Sequence, residues 1–454
     1  MMTQTQKRII YGVLTLLGAA IFSGILYINS LMPVITGYAA KNLCSDVFVS
    51  NRKPEDVEAI DLNFSFIKFT KNSVNYDEKS VTSHFLWGKS KAIFRNGFGV
   101  TLLRDITEEK LRKSKYPANV DYGHSQDSIK WPLGDILPRR KTGIDTIKLD
   151  DITKRLIRDN AYNGDVFAFM VLYKGIPVAE AYKPQFNKNT RFLSWSIAKS
   201  LTNALVGVLA EKGKMDINNP AGIDEWKADD RSKITLNDLL QMQSGLKWNE
   251  DYGNKSDVTV MLYCESDMSR YAFQQPLEHT PGTFWSYSSG TANIVSYLIR
   301  RQFTNDSLYY SFISSQFFSK IGIPDAVLEV DPSGTSIGSS YLYATVRDYA
   351  RFALLYQNNG VLNGERIFPE GWVKYTTSAA SASKGEYGAF FWLNIGKKFP
   401  SAPEDMYMCE GHDGQQIFIM PAQELIVVVL GYSPTSKGGM DTNRLLKDIL
   451  GTLK

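Results

Sequence analysis

Five serines in this chain stand three residues ahead of a lysine: Ser50, Ser65, Ser196, Ser244 and Ser381. A serine hydroxyl is a poor nucleophile at neutral pH and needs a base within hydrogen-bond reach. A lysine becomes that base once a desolvated site strips its proton. On a helix, a spacing of three brings the two side chains onto one face. Only Ser196, with Lys199 after it, opens a long amphipathic stretch directly behind a predicted strand region. Ala198, Leu201, Ala204, Leu205, Val208 and Leu209 then recur at helical period until Gly213. The start of a helix also favours negative charge, because its first N–H groups are unpaired. On spacing alone a plainer role fits equally, with Ser194 or Ser196 capping the helix and Lys199 solvated.

Two further groupings carry chemical potential. Tyr287-Ser288-Ser289 follows the Pro281-Gly282 turn and precedes a helix starting near Thr291. A phenol on such a loop lip can relay protons, while a serine before a helix is also an ordinary cap. Gly411-His412-Asp413-Gly414 leads straight into Gln415 and a strand, and its glycines permit close approach of backbone to a ligand. His412 there is placed to donate to a substrate or to the tyrosine; an ordinary turn histidine is the alternative. His84, His124, His279 and His412 show no paired ligand spacing, so neither a metal site nor a cofactor is expected.

These residues need a scaffold, and the pattern around them suggests one. Residues 165–182 read as two strands joined at a Lys174-Gly175 turn, followed by the helix that Ser196 opens. Further helices are expected over 236–243, 291–301, 345–357 and 442–453, and strong strands over 416–420 and 425–432. Sheet at both ends with helices between predicts an α+β fold whose terminal strands share one sheet. Ahead of it, residues 41–145 read as a small strand-rich region and linker, with strand-like segments at 64–69, 81–87, 91–94 and 99–103. A charged surface helix fits residues 107–115, and 116–143 reads as a linker or wrapping loop.

Residues 1–40 read as a membrane anchor. Lys7 and Arg8 precede a run without charge that lasts until Lys41, and 9–28 is predominantly apolar. About 20 such residues span a bilayer, and the leading positive charges keep the start in the cytoplasm. A cleaved signal peptide ending near Gly37-Tyr38-Ala39 is the competing reading, although its apolar region is long for one. Either places the rest of the chain outside the cytoplasm, in the periplasm if the source is bacterial. Basic and acidic residues number 51 and 47, and the basic clusters are short and scattered, which excludes a nucleic-acid footprint. Cys44, Cys264 and Cys409 form no CxxC pair.

Taken in order, the motifs resemble the serine β-lactamase-like superfamily, nearest its class C branch with the esterases and 6-aminohexanoate-dimer hydrolases. Supporting stretches are Ile234-Thr235-Leu236-Asn237-Asp238-Leu239-Leu240 running to Ser244-Gly245-Leu246, and Tyr343-Ala344-Thr345 with Asp348 and Arg351. The resemblance covers residues 146–454. It implies a β-lactamase/transpeptidase-like antiparallel sheet flanked by helices, with a helical subdomain. It further implies that Ser196 is acylated, Lys199 takes its proton and Tyr287 passes a proton to the leaving group. Ser289 takes the second-motif position that is asparagine in many β-lactamases, and His412 stands where they carry the lysine of K-T-G. The backbone N–H groups of Ser196 and Gln415, beside Gly414, form the oxyanion hole. With an imidazole replacing a permanent ammonium, an ester or small amide is expected as substrate rather than a β-lactam. Two alternatives remain: a membrane-anchored non-catalytic binder of penicillin-binding type, and a D-Ala-D-Ala peptidase.

Overall fold

The structure is a computed structural model describing residues 3–117, 126–139 and 143–454. His124 and part of the stretch read as a linker lie outside the described residues. Its first element is a helix of 45 residues, α1 (Gln4–Phe48). It runs through residue 40, where the apolar pattern places the end of the anchor. The helix is exposed through Asn29 and buried from Met32 almost continuously to Val47. Polar letters in Lys41-Asn42 and Ser45-Asp46 conceal that burial in the sequence, because each charge has a partner elsewhere. Lys41 forms an ion pair with Glu329, both fully buried. Asp46 meets Arg52 at 3.2 Å.

Against the buried half of α1 lie α2 (Pro54–Ile60) and an antiparallel sheet of β1 (Lys71–Asn75), β2 (Ser80–Phe85), β3 (Gly88–Arg95) and β4 (Gly99–Leu102). The expected strand at 64–69 is instead a turn ending in a short 3-10 helix, Ile67–Phe69. Ser65 is left-handed there (φ 44°), which breaks any pleat. The charged surface helix is α3 (Glu108–Lys113), capped by Thr107.

The main sheet has six antiparallel strands. Its order is β12 (Trp392–Leu393), β13 (Tyr407–Gly411), β14 (Gln415–Met420), β15 (Leu425–Tyr432), β5 (Asp165–Tyr173) and β6 (Ile176–Tyr182). The C-terminal strand β15 thus pairs with β5, Leu425 opposite Tyr173, joining the two ends of the region from residue 165 to 432. β15 is apolar at nearly every position because both faces are covered. Leu425, Val427 and Val429 meet α4 (Thr146–Ile157) and α13 (Thr442–Leu450). Ile426, Val428 and Leu430 face the opposite core, with α5 (Ile197–Glu211) and α11 (Val346–Gln357).

Beyond those two helices lies a helical region containing α6 (Leu236–Leu240), α7 (Asp257–Cys264), α8 (Met268–Phe273), α9 (Ser289–Arg300) and α10 (Asp306–Ser311). The hairpin of β10 (Val361–Leu362) and β11 (Glu365–Arg366) and helix α12 (Trp372–Thr376) follow α11. A three-stranded sheet of β7 (Phe192–Leu193), β9 (Leu342–Ala344) and β8 (Val327–Leu328) carries the chain into the start of α5.

Candidate active site

Ser196 is the residue from which α5 departs. The strand before it is fixed by a 2.8 Å bond from Ser194 N to the Leu342 carbonyl. Between them Trp195 takes a left-handed conformation (φ 46°), costly for a bulky side chain. That bend turns Ser196 out of the core, leaving it half-buried while its neighbours on both sides are buried. Its amide is engaged by no backbone carbonyl among the described residues.

Lys199 is buried one turn along α5, and its Nζ lies 2.9 Å from Ser196 Oγ. The same nitrogen reaches Ser289 Oγ at 2.9 Å and the Ser339 carbonyl at 3.0 Å. It sits 4.8 Å from the centre of the Tyr287 ring. Burial pulls the Lys199 ammonium down to about 8, with nearby Glu250 opposing the shift. The Tyr287 phenol moves the other way. Burial first, then its neighbours Tyr387 and Glu250, raise it well above the ordinary value, and a hydrogen bond with Ser196 opposes them. The Tyr287 ring is held by stacking on Trp392 at 5.3 Å.

Ser289 is fully buried in the first turn of α9, where Ser288, not Ser289, caps the helix by accepting from Thr291 N. A residue absent from the sequence reading grips it. Glu250 accepts from Ser289 N at 2.8 Å and from the Ser289 hydroxyl, and also takes the Trp248 indole N–H. A chain of polar contacts therefore runs Glu250–Ser289–Lys199–Ser196. Nothing in the local sequence marks Glu250, since Asn249-Glu250-Asp251 is a run of polar residues and Ser289, the partner that ties it to the site, lies 39 residues on.

The motif at residues 411–415 comes against the strand that leads into Ser196 from the sheet side. A Cβ on Gly411 would lie 2.2 Å from the Ser194 carbonyl oxygen, so only glycine permits this approach. Asp413 (φ 58°) and Gly414 (φ 90°) then turn the chain through left-handed geometry into β14. Gln415 directs its side chain into the sheet, where it bonds both backbone groups of Gly431. His412 makes no hydrogen bond to Tyr287 among the described residues. Its exposed ring stacks on Tyr252 at 4.7 Å and meets the Trp195 edge at 5.4 Å. Tyr252, also missed in the sequence, lies 3.5 Å from Ser289 Oγ.

An antiparallel sheet beside a helical region, with Ser-x-x-Lys at a helix start and a tyrosine beneath the lysine, defines a class of hydrolase architecture. Comparison with known proteins places the chain within it. The model of the Beta-lactamase family matches residues 152–450, and the chain belongs to that family, one of serine hydrolases. It is 25% identical over 340 residues to a 6-aminohexanoate-dimer hydrolase of Paenarthrobacter ureafaciens, covering 66% of this chain and 84% of that one. A Bacillus anthracis structure assigned to the same hydrolase type superposes with a TM-score of 0.55 at 23% identity, over 65% of this chain and 80% of that one. A family VIII carboxylesterase shares the fold at a TM-score of 0.51 and 16% identity, over 68% and 98% of the two chains.

Proposed function

We propose that the protein is a membrane-anchored serine hydrolase that forms an acyl-enzyme on Ser196 from an ester or small amide. One observation carries the reading: a buried Lys199 amine, drawn down to about 8, stands 2.9 Å from the Ser196 hydroxyl. As neutral amine, Lys199 takes the Ser196 proton while Oγ bonds to the substrate carbonyl carbon. The developing oxyanion is received by the N–H groups of Ser196 and Gln415. Tyr287, kept protonated by burial, passes a proton to the leaving alcohol or amine as the carbonyl re-forms and regains one from the Lys199 ammonium, which restores the neutral amine. Water then repeats the sequence on the acyl group and frees Ser196. Ser289, held by Glu250, fixes the lysine, and the Tyr252–His412 stack forms an aromatic rim for the substrate. The exposed first part of α1 is the membrane span, long and apolar enough for that role.

The test uses the full-length protein with p-nitrophenyl esters and a fluorophosphonate probe. Labelling and turnover are expected in the wild type and absent in Ser196→Ala. Lys199→Arg should lose about 10²–10⁴-fold in kcat/KM, since a guanidinium cannot serve as the base. Turnover that survives Ser196→Ala would refute the mechanism. Penicillin hydrolysis at an efficiency matching the esters would refute the substrate class.

A further inference from the structure

Four large apolar side chains outside the anchor are left in solvent on one corner of the N-terminal region: Phe66, Phe69, Leu86 and Trp87, each more than half exposed. They are neighbours. Leu86 and Trp87 form the two-residue tip joining β2 to β3, and Phe66 contacts Phe85 at the base of that tip (ring centroids 6.2 Å apart). Phe69 lies two residues before β1, whose Lys71 pairs with His84.

The tip is built against local preference. A two-residue hairpin turn with left-handed residues favours Asn and Gly, yet Leu86 holds φ 50°, a strained state for a branched apolar side chain. Strain and exposure together point to contact with something apolar.

The position of the tip identifies what that is. Trp87 Nε1 donates to Asn29 Oδ1 at 3.0 Å, and Asn29 is the first polar residue after the apolar run 9–28. Gly88 packs on Met32 one turn further along α1, where an added Cβ would come within 2.7 Å of the Met32 Cβ. The patch therefore sits at the level where α1 leaves the hydrocarbon, the depth at which tryptophan concentrates in membrane proteins. Lys68, Lys71 and Lys89 flank it, all exposed, and the Lys68 amine lies 5.0 Å from the Phe69 ring centre. Aromatic and aliphatic groups edged by lysines suit the interface of an anionic bilayer.

A connection to the chemistry follows along α1. Tyr38 lies nine residues beyond Asn29, about 14 Å at the rise of a helix. Its ring stacks on Trp195, the residue before the nucleophile, and meets Phe64 from the turn that carries Phe66. We infer that Phe66, Phe69, Leu86 and Trp87 dock on the bilayer surface beside α1 and hold the Ser196 site close above it. There it acts on an amphiphile anchored in the same membrane, with its ester or amide bond on the headgroup side. This inference rests on the anchor and hydrolase readings above.

The experiment places the full chain in phosphatidylethanolamine–phosphatidylglycerol vesicles containing lipid brominated near the top of the acyl chains. The difference in emission between wild type and Trp87→Phe reports Trp87 alone, and bromolipid is expected to quench it. Quenching by aqueous acrylamide but not by bromolipid overturns docking, as does shielding from both, which would mean that a second copy or another protein covers the patch. In a second arm, the Leu86→Ser/Trp87→Ser variant should keep the wild-type rate on a soluble p-nitrophenyl ester. It should lose the wild-type preference for a long-chain p-nitrophenyl ester dissolved in the vesicles. An unchanged preference overturns the substrate assignment. Failure of the parent readings looks different: a protein that does not float with vesicles has no anchor, and one without Ser196-dependent turnover still reports Trp87.

Discussion

On the proposed mechanism, Lys199 sets the pH response of the site. Its folded-state value of about 8 lies below the ordinary lysine value near 10.5, so the neutral amine accumulates as pH rises through 8. The kcat/KM profile should climb with pH and level off above an apparent pKa of about 8. Glu250 holds that value up. Glu250→Gln should therefore shift the midpoint to lower pH, which a purely structural role for Glu250 would not do. The same shift has a stability sign: between about 8 and 10.5 the unfolded chain binds more protons than the folded one, so stability rises with pH there. The cost of burying the charged lysine is fully present below 8 and amounts to about 3 kcal/mol. At this scale the sequence was informative where partners are local. Ser196 and Lys199 share a helical turn and were readable together. Glu250 and Tyr252 owe their places to Ser289 and His412, brought to them by tertiary packing that no local pattern encodes.

Among the elements, the junction of β13 with the start of α5 is the tightest fit. Gly411 allows β13 to end against the Ser194 carbonyl, and Trp195 stores backbone strain beside it. Gly411→Ala must displace one of the two segments. Misplacement of a reacting group by about 1 Å costs on the order of 10²-fold, so kcat/KM should fall by about that factor while circular dichroism stays native. Equal losses of activity and of secondary structure would show that the glycine serves folding alone. The elements themselves were largely readable: α5, α9, α11 and α13 follow their helical periodicity, and β14 and β15 show as apolar runs on either side of a Pro421-Ala422-Gln423-Glu424 turn. The turn at 64–69 misled because its apolar residues do not share a face: Ile67 enters the core while Phe66 and Phe69 point to solvent. The second half of α1 was missed because Lys41 and Asp46 look like surface residues until Glu329 and Arg52 arrive from elsewhere.

For the whole molecule, α1 has an exposed apolar first half long enough to cross a membrane and a second half buried in the core it shares with the rest of the fold. A chain beginning at Met32 keeps the buried half of the helix, whereas one beginning at Lys41 loses Met32, Ile35 and Ala39 from the core. Burying the first two side chains stabilises by about 3–6 kcal/mol. Thermal unfolding should therefore find the shorter chain markedly less stable, and equal melting temperatures would refute the role given to α1. The same packing supports retention of the segment over cleavage near Ala39, which would cut a helix at residues buried in the fold.

The pairing of β15 with β5 also has a consequence in time. Tyr173 waits for Leu425, and synthesis of the intervening stretch of about 250 residues takes roughly 12–50 s at 5–20 residues per second. Glu329, the partner of Lys41, likewise comes 288 residues later. During that interval the apolar strand β5 lacks its neighbour. Such long-range closure is intrinsically slow and leaves unpaired strand exposed. A fold closed this way leaves its nascent chain open for most of its synthesis, a client for holding chaperones before it is an enzyme.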